Sequence, residues 1–299
     1  METISKNTAA GHRCGYVALV GKPNAGKSTL LNALLGEKLS IVTNKPQTTR
    51  HRVVGIYNDE AMQIVFLDTP GVIEPRYRLQ ERMMGSVRSA LVDADLIVML
   101  ADATTGTVDA LTLETLPPDI PKVLVLNKMD LVETELALPL TQSYIEQSHF
   151  EAVFPISALN QQGLDKLVEG LHERLPVAPP FFPKDQLSEH PERFFVSEII
   201  REQIFKQYQA EIPYSVQVNV IQYVEQQGRK DHISVDIVVL RASQKGILIG
   251  KGGAALKKLG QASRYAIEQF LDRPVFLELF VKVRDGWRDQ DTYLNEYGY

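Results

Sequence analysis

Two domains of different class are predicted: an α/β domain built on a mostly parallel sheet, then a smaller α+β domain. Three observations carry this. Across residues 16–158, short apolar runs ("YVALVG", "QIVFLDTPG", "LIVMLADA", "KVLVLNKMD", "AVFPISA") alternate with longer mixed segments, and continuous Val/Ile/Leu runs suit strands covered on both faces. Residues 175–194 hold five prolines in twenty positions, too many for a helix or a central strand. Beyond them the order becomes helix, two alternating strands, helical turn, helix and strand. The expected divisions are a flexible tail at 1–13, the first domain at 14–176, a linker at 177–192 and the second domain at 193–299.

Composition narrows the class. The chain has 299 residues, 44% of them apolar, enough for two ordinary cores. Its single cysteine, Cys14, leaves no internal disulfide and no thiol cluster for zinc, which fits a reducing compartment, the cytoplasm by default. The six histidines show no ligand spacing. The N-terminus lacks an apolar signal region, and no segment approaches the ~18 uninterrupted apolar residues needed to span a bilayer. Net charge is −5, yet residues 241–267 carry six basic residues and no acidic one, a local field suited to an anionic partner.

The first apolar run ends in "GKPNAGKST", where Gly21, Lys22, Pro23, Asn24, Ala25, Gly26, Lys27, Ser28 and Thr29 satisfy the G-x4-G-K-[ST] phosphate loop between a strand and a helix. Its backbone amides and the following helix N-terminus would cradle phosphates. Lys27 would neutralise the β and γ phosphates and the Ser28 hydroxyl would ligate Mg2+. "SIVTNKPQTTRHR" (40–52) is polar, as the mobile switch I loop of a GTPase must be. Gln47, Thr48, Thr49 and Arg50 sit at its centre, and either Thr48 or Thr49 would reach the metal. "DTPG" closes the next buried strand: Asp68 would hold Mg2+ through water, and Thr69, Pro70 and Gly71 carry the backbone toward the γ-phosphate. Val72 follows, where Ras-like GTPases carry a water-orienting glutamine, so slow intrinsic turnover is expected.

In "NKMD", Asn127, Lys128, Met129 and Asp130 end a further strand. The Asp130 carboxylate can accept from the guanine N1–H and exocyclic amine, which adenine cannot offer, while the Lys128 stem packs on the ring. After a phosphate loop and D-T-P-G, this selects GTP and GDP over ATP. "PISA" brings Ser157 and Ala158 to the base by backbone.

The second domain starts with an amphipathic helix near 194–208, on which Arg201 and Glu202 are expected at the surface. Strands "YSVQVNVIQYVE" and "HISVDIVVL" follow, then "GILIGKGG". Read as a second phosphate loop, this stretch fails: three residues, not four, separate Gly246 from Gly250, and Gly252 stands where Ser or Thr must ligate magnesium. Read as G-x-x-G joining two helices, Gly250, Lys251, Gly252 and Gly253 can clamp single-stranded nucleic acid backbone. Lys251, Lys257 and Lys258 would meet phosphates, and Ile247 and Ile249 would floor a base groove; the pattern by itself also describes a plain turn. Leu256, Leu259, Ala262, Ala266 and Phe270 give the next helix one apolar stripe. Tyr214, Tyr223, Phe276 and Phe280 alternate on strands and are expected in the core, and Trp287 fits either core or stacking.

Together "GKPNAGKS", "QTTRHR", "DTPG", "NKMD", "PISA", "SEIIRE", "PYSVQV" and the Gly250 loop resemble the Era family of ribosome-associated GTPases from about Gly15 onward. The resemblance implies a P-loop GTPase domain followed by an α+β type II KH domain. It also implies single-stranded RNA near the 3′ end of small-subunit ribosomal RNA as partner, a role in small ribosomal subunit biogenesis, and peripheral contact with the inner face of the cell membrane. Val72 agrees with the family, and Gly252 at the second loop slot departs from it.

Overall fold

The computed structural model describes residues 11–105, 107–147, 150–226 and 228–299; the first ten residues of the predicted tail lie outside them. The chain forms two compact units. Among the described residues, one comprises 11–40, Thr49–Glu74 and Met84–Glu189; the other gathers Ile41–Thr48, Pro75–Met83 and His190–Tyr299.

In the first unit the apolar runs become β1 (Arg13–Gly21), β3 (Met62–Asp68), β4 (Leu96–Asp102), β5 (Lys122–Asn127) and β6 (Val153–Pro155), all mutually parallel. All seven residues of β3 are buried, which explains why its sequence lacks the two-residue alternation of a half-exposed strand. The sheet runs β2-β3-β1-β4-β5-β6, and β2 (Val53–Asn58) pairs antiparallel with β3. That edge strand was not foreseen, because it follows the polar segment 40–52 without a turn signal. Helices α1 (Lys27–Leu35), α2 (Arg78–Asp93, of which residues 78–83 belong to the second unit), α3 (Ala110–Thr115), α4 (Thr134–Gln147) and α5 (Leu164–Arg174) accompany the sheet. In α5, Leu164, Leu167 and Leu171 recur at helical spacing and are buried, the expected one-sided stripe.

The proline-rich stretch does not hang free. Its backbone binds β2 and β3: the Gln63 side chain accepts from Phe181 and Phe182 N–H at 2.7 and 2.9 Å, and Ile56 N–H donates to Leu187 O at 2.9 Å. Prolines suit an edge layer of this kind, where side-chain partners replace a ladder.

The second unit contains α6 (Glu192–Gln207), α7 (Ile212–Ser215), β7 (Gln217–Val224), β8 (Asp231–Val239), α8 (Ala242–Ile249), α9 (Ala254–Leu271), β9 (Val275–Val283) and α10 (Asp291–Glu296). Its sheet is β7-β8-β9, with β7 antiparallel and β9 parallel to β8. One face packs Ile233, Val235, Ile237 and Val239 against Ile200 and Ile204 of α6 and Leu259 and Ile267 of α9 in a single core cluster. Each fully buried aliphatic side chain there contributes about 1.5–3 kcal/mol.

Several expectations are corrected. Phe276 and Phe280 are 53% and 46% exposed, because β9 residues 277 and 279 take the core face and period two sends 276 and 280 to the other. Tyr214 lies in α7, not in a strand. Arg201 and Glu202 are 2% and 1% exposed, so they are interior. Arg201 is paired with Glu198 of its own helix, a compensation the isolated motif did not reveal. Trp287 is fully buried and donates from Nε1 to Ser215 O at 3.1 Å.

Candidate nucleotide and nucleic-acid sites

The phosphate loop leaves β1 through Gly21 at φ +151° and enters α1 through Gly26 at φ +97°. Neither position tolerates a side chain: a Cβ on Gly21 would sit 2.4 Å from Leu100 O, and one on Gly26 would sit 2.0 Å from Asn127 Nδ2. No side chain caps α1, so its first amides remain available to an anion. Lys27 is 6% exposed and donates from Nζ to Gly21 O at 3.0 Å and Lys22 O at 2.9 Å. Burial pushes its ammonium down to about 8, while the nearby Asp68 pulls the other way. The loop thus folds around its own lysine, as a cradle built for a more negative guest would.

Asp68 is fully buried. Its Oδ2 accepts from Ser28 Oγ at 2.6 Å and Ser40 Oγ at 2.9 Å, whereas Oδ1 is buried without a hydrogen-bond partner. Burial raises its pKa, opposed by the Ser28 bond, Lys27 and the Ser40 bond. Thr49 Oγ1 lies 3.0 Å from Ser28 Oγ. Thr48 is turned elsewhere, its hydroxyl bonded to Thr43 Oγ1 at 2.6 Å and Lys45 O at 2.8 Å. Carboxylate and hydroxyl oxygens around an orphaned anionic atom are the donor set of a hard divalent cation. Gln47 adopts φ +58° and accepts from Gln80, and Arg50 is buried.

Gly71 passes so close to the phosphate loop that a Cβ would meet Pro23 N at 2.5 Å, and Val72 N–H donates to Gly21 O at 3.0 Å. Thr69 Oγ1 donates to Leu19 O at 2.7 Å. Val72 is 3% exposed, so its side chain is packed away and its amide is occupied.

The residues predicted to read the base converge at the ends of β5 and β6. Asn127, 3% exposed, donates from Nδ2 to Ala25 O and accepts Ala158 N–H, both at 2.9 Å. It therefore braces the phosphate loop against the 155–158 loop, and the Ala158 amide expected at the base is spent on that brace. Met129 N–H adds a bond to Ile156 O at 3.0 Å. Lys128 takes the left-handed conformation, φ +68°, and its ammonium pairs with Asp102 at 2.5 Å. Asp130 is exposed and held by Ser157 Oγ at 2.5 Å. Asp102 was missed from sequence. Its signal is topological, since it terminates β4 directly opposite Asn127 in the parallel register. Ser40 was also missed, being one of many hydroxyls in a polar segment. Beside Ala158, a cavity of about 300 Å3 is lined by Asn32, Ala33, Gly36, Lys38, Leu159 and Gln161 among others.

In the second unit, α8 ends at Gly250, φ +71°, followed by Gly252 at +57° and Gly253 at +80°. A Cβ on Gly250 would lie 2.7 Å from Ala255 Cβ, while Gly252 and Gly253 face open space. Gly252 is thus explained by its left-handed backbone, which other residues enter at a cost of about 1–2 kcal/mol. Lys251, Lys257 and Lys258 are exposed, and the first turn of α9 carries no acidic residue. Ile247 is 52% exposed, whereas Ile249 packs against the core cluster.

The remaining segments of this unit attach to its helices. Val42 N–H donates to Glu202 Oε1 at 3.3 Å, and Lys45 Nζ donates to Phe205 O and Tyr208 O at 2.5 Å each. Arg78 forms a two-pronged ion pair with Asp291, from Nε and Nη2 at 3.0 Å.

A phosphate loop with D-T-P-G and N-K-M-D at the edge of a mostly parallel sheet, joined in one chain to an α-β-β-α-α-β domain with a basic glycine loop, defines a GTPase carrying a KH domain. Comparisons agree on both halves. Residues 16–128 match the family described as 50S ribosome-binding GTPase, and residues 211–288 match the KH domain family. The chain is 47% identical to "GTPase ERA1, chloroplastic" of Zea mays, over 100% of this chain and 73% of that protein. It is 44% identical to GTPase Era of Geotalea uraniireducens (strain Rf4), over 96% and 98%. Two solved structures, a point variant of Aquifex aeolicus Era bound to GDP and AlF4−, and Era in complex with MgGDPNP and nucleotides 1506–1542 of 16S ribosomal RNA, each share 39% identity. Both have a TM-score of 0.91 and cover 96% of this chain and 99% of theirs. The chain belongs to the Era family of GTPases.

Proposed function

We propose that this GTPase is a switch that binds single-stranded RNA near the 3′ end of small-subunit ribosomal RNA through residues 247–258 and assists small ribosomal subunit assembly. The observation that carries it is the full-length likeness to an Era holding both MgGDPNP and 16S ribosomal RNA, in a chain with one anion-binding device in each unit.

In the nucleotide site, the amides of residues 21–29 wrap the phosphates and Lys27 neutralises them. Asp130 reads the guanine edge, with its rotamer set by Ser157, and Lys128, tethered by Asp102, lays its stem on the ring. Mg2+ is the cofactor we infer, held by Ser28, Thr49 and, through water, Asp68, whose orphaned Oδ1 fits it. Bound there, it would offset charge on the phosphate oxygens. Thr49 is preferred to Thr48 because the Thr48 hydroxyl is already committed within its own segment. Gly71 brings the backbone to the γ-phosphate. The Val72 side chain has no carboxamide to orient water, so intrinsic turnover is slow and a partner accelerates it.

In the RNA site, Gly250–Gly253 admits the backbone closely, Lys251, Lys257 and Lys258 contact phosphates, and Ile247 presents apolar surface to a base. Among the described residues no helix is long and apolar enough to cross a membrane. We place the protein in the cytoplasm, with peripheral contact at the inner membrane face as a further part of this reading.

Nucleotide competition tests the first half: GTP and GDP should displace a labelled guanine nucleotide and ATP should not, and equal affinity for ATP ends the guanine assignment. Filter binding with single-stranded RNA tests the second half, since affinity should fall steeply with salt.

A further inference from the structure

A set of polar contacts runs from the switch I segment through Tyr208 to the last turn of α8, just before the glycine loop, wholly within the second unit. The C-terminus of α6 presents carbonyls with no intrahelical donor. Lys45 Nζ donates to two of them, Phe205 O and Tyr208 O, at 2.5 Å each, placing a cation where the helix dipole favours it. One turn earlier, Glu202, 1% exposed, accepts Val42 N–H at 3.3 Å. Tyr208 is 7% exposed, and its hydroxyl donates to Leu248 O at 2.9 Å. Leu248 lies in the last turn of α8, two residues before Gly250, where helix carbonyls have no intrahelical donor. Gly250 in turn has no room for a Cβ against Ala255 of α9, so the end of α8 and the start of α9 are packed closely on either side of the loop.

We propose that Lys45 and Tyr208 are positioning residues that couple the switch I segment to the geometry of the 250–253 loop. With residues 41–48 seated on α6, Lys45 fixes the backbone at Tyr208, the Tyr208 hydroxyl pins the last turn of α8, and the loop is pre-organised for a nucleic acid backbone. When the segment leaves, that restraint is released. Thr49, inferred to ligate the metal, is the residue immediately after the segment, so nucleotide-dependent movement there reaches Lys45 along the chain. The coupling rests on the GTP-switch and RNA reading above.

The test uses the full chain without RNA, then with it. Hydrogen exchange of the 249–253 amides should accelerate about fivefold in Tyr208→Phe and in Lys45→Met, the effect of one buried hydrogen bond. The double variant should exchange no faster than the faster single one. RNA affinity should fall by a similar factor in both, with the salt slope unchanged; a lysine that touched phosphate directly would lower that slope by about one when removed. Unchanged loop exchange in either single variant, or additive effects in the double, overturns the coupling. Absence of RNA binding by the wild-type chain overturns the functional reading instead, and the exchange data still decide the coupling.

Discussion

Truncating Asn127 to alanine isolates the joint between the phosphate loop and the base-reading loop. Its amide bridges Ala25 O and Ala158 N–H at 2.9 Å each, at 3% exposure. Removal leaves one buried carbonyl and one buried N–H unpaired, at about 1–3 kcal/mol each. If about 2 kcal/mol of this falls on the nucleotide-bound state, GTP affinity drops roughly 30-fold. Gly26 supplies an internal control, since a Cβ there would lie 2.0 Å from Asn127 Nδ2. Gly26→Ala alone should weaken binding at least as much. In the double variant that obstruction is gone, leaving the left-handed backbone cost of about 1–2 kcal/mol, so its loss should be clearly smaller than the sum of the single losses. Titration of a fluorescent GTP analogue into the four proteins, with thermal unfolding run alongside to separate loss of fold, reads this directly. A change under threefold in Asn127→Ala, or strict additivity, refutes the brace.

The other predictions separate roles. Lys27→Ala should weaken GTP binding or turnover tenfold or more and leave single-stranded RNA affinity measured without nucleotide intact, whereas Gly253→Asp, which forces an acidic side chain onto a φ of +80°, should mainly cost RNA affinity; equal failure of both variants in both assays would contradict two separable sites. Asp130→Asn should move preference toward xanthine nucleotide, because the hydrogen-bond pattern at the base edge inverts, and unchanged GTP selectivity in competition would remove Asp130 from the site. Thr49→Val should lower Mg2+-dependent turnover by tenfold or more and by more than Thr48→Val does; phosphate-release assays showing equal losses would reverse the choice. Trp287→Ala, which empties a fully buried site and strands Ser215 O, should cost about 3–5 kcal/mol, measured as a lowered denaturation midpoint.

Much of this was legible in sequence because the governing signals are local. Buried parallel strands announce themselves as apolar runs, and the phosphate loop needs its glycines at fixed spacing. NKMD and the Gly250 loop also place their proposed chemistry within four residues. What stayed hidden depends on contacts between distant positions. Asp102 is one aspartate among many until parallel register sets it opposite Asn127, and Ser40 matters only because Asp68 lies 2.9 Å away. Thr48 and Thr49 are equivalent on paper, and only the Thr43 and Lys45 contacts turn one of them aside. Arg201 and Glu202 read as surface because charged pairs usually are, yet Glu198 supplies the compensation that lets Arg201 be buried. Phe276 and Phe280 were placed inside by their hydrophobicity, and the two-residue period of β9 places them outside.

The central claim is that one chain holds phosphates in two different devices, a nucleotide in the first unit and an RNA strand in the second. Its most direct test is the affinity of the full chain for a single-stranded RNA copying the 3′ end of small-subunit ribosomal RNA, measured across salt concentrations with GDP and with a non-hydrolysable GTP analogue. Salt-dependent binding is expected, abolished by Gly253→Asp, preserved in Lys27→Ala and modulated by the bound nucleotide in the wild type. Binding that is absent, insensitive to salt, or unaffected by Gly253→Asp would contradict it.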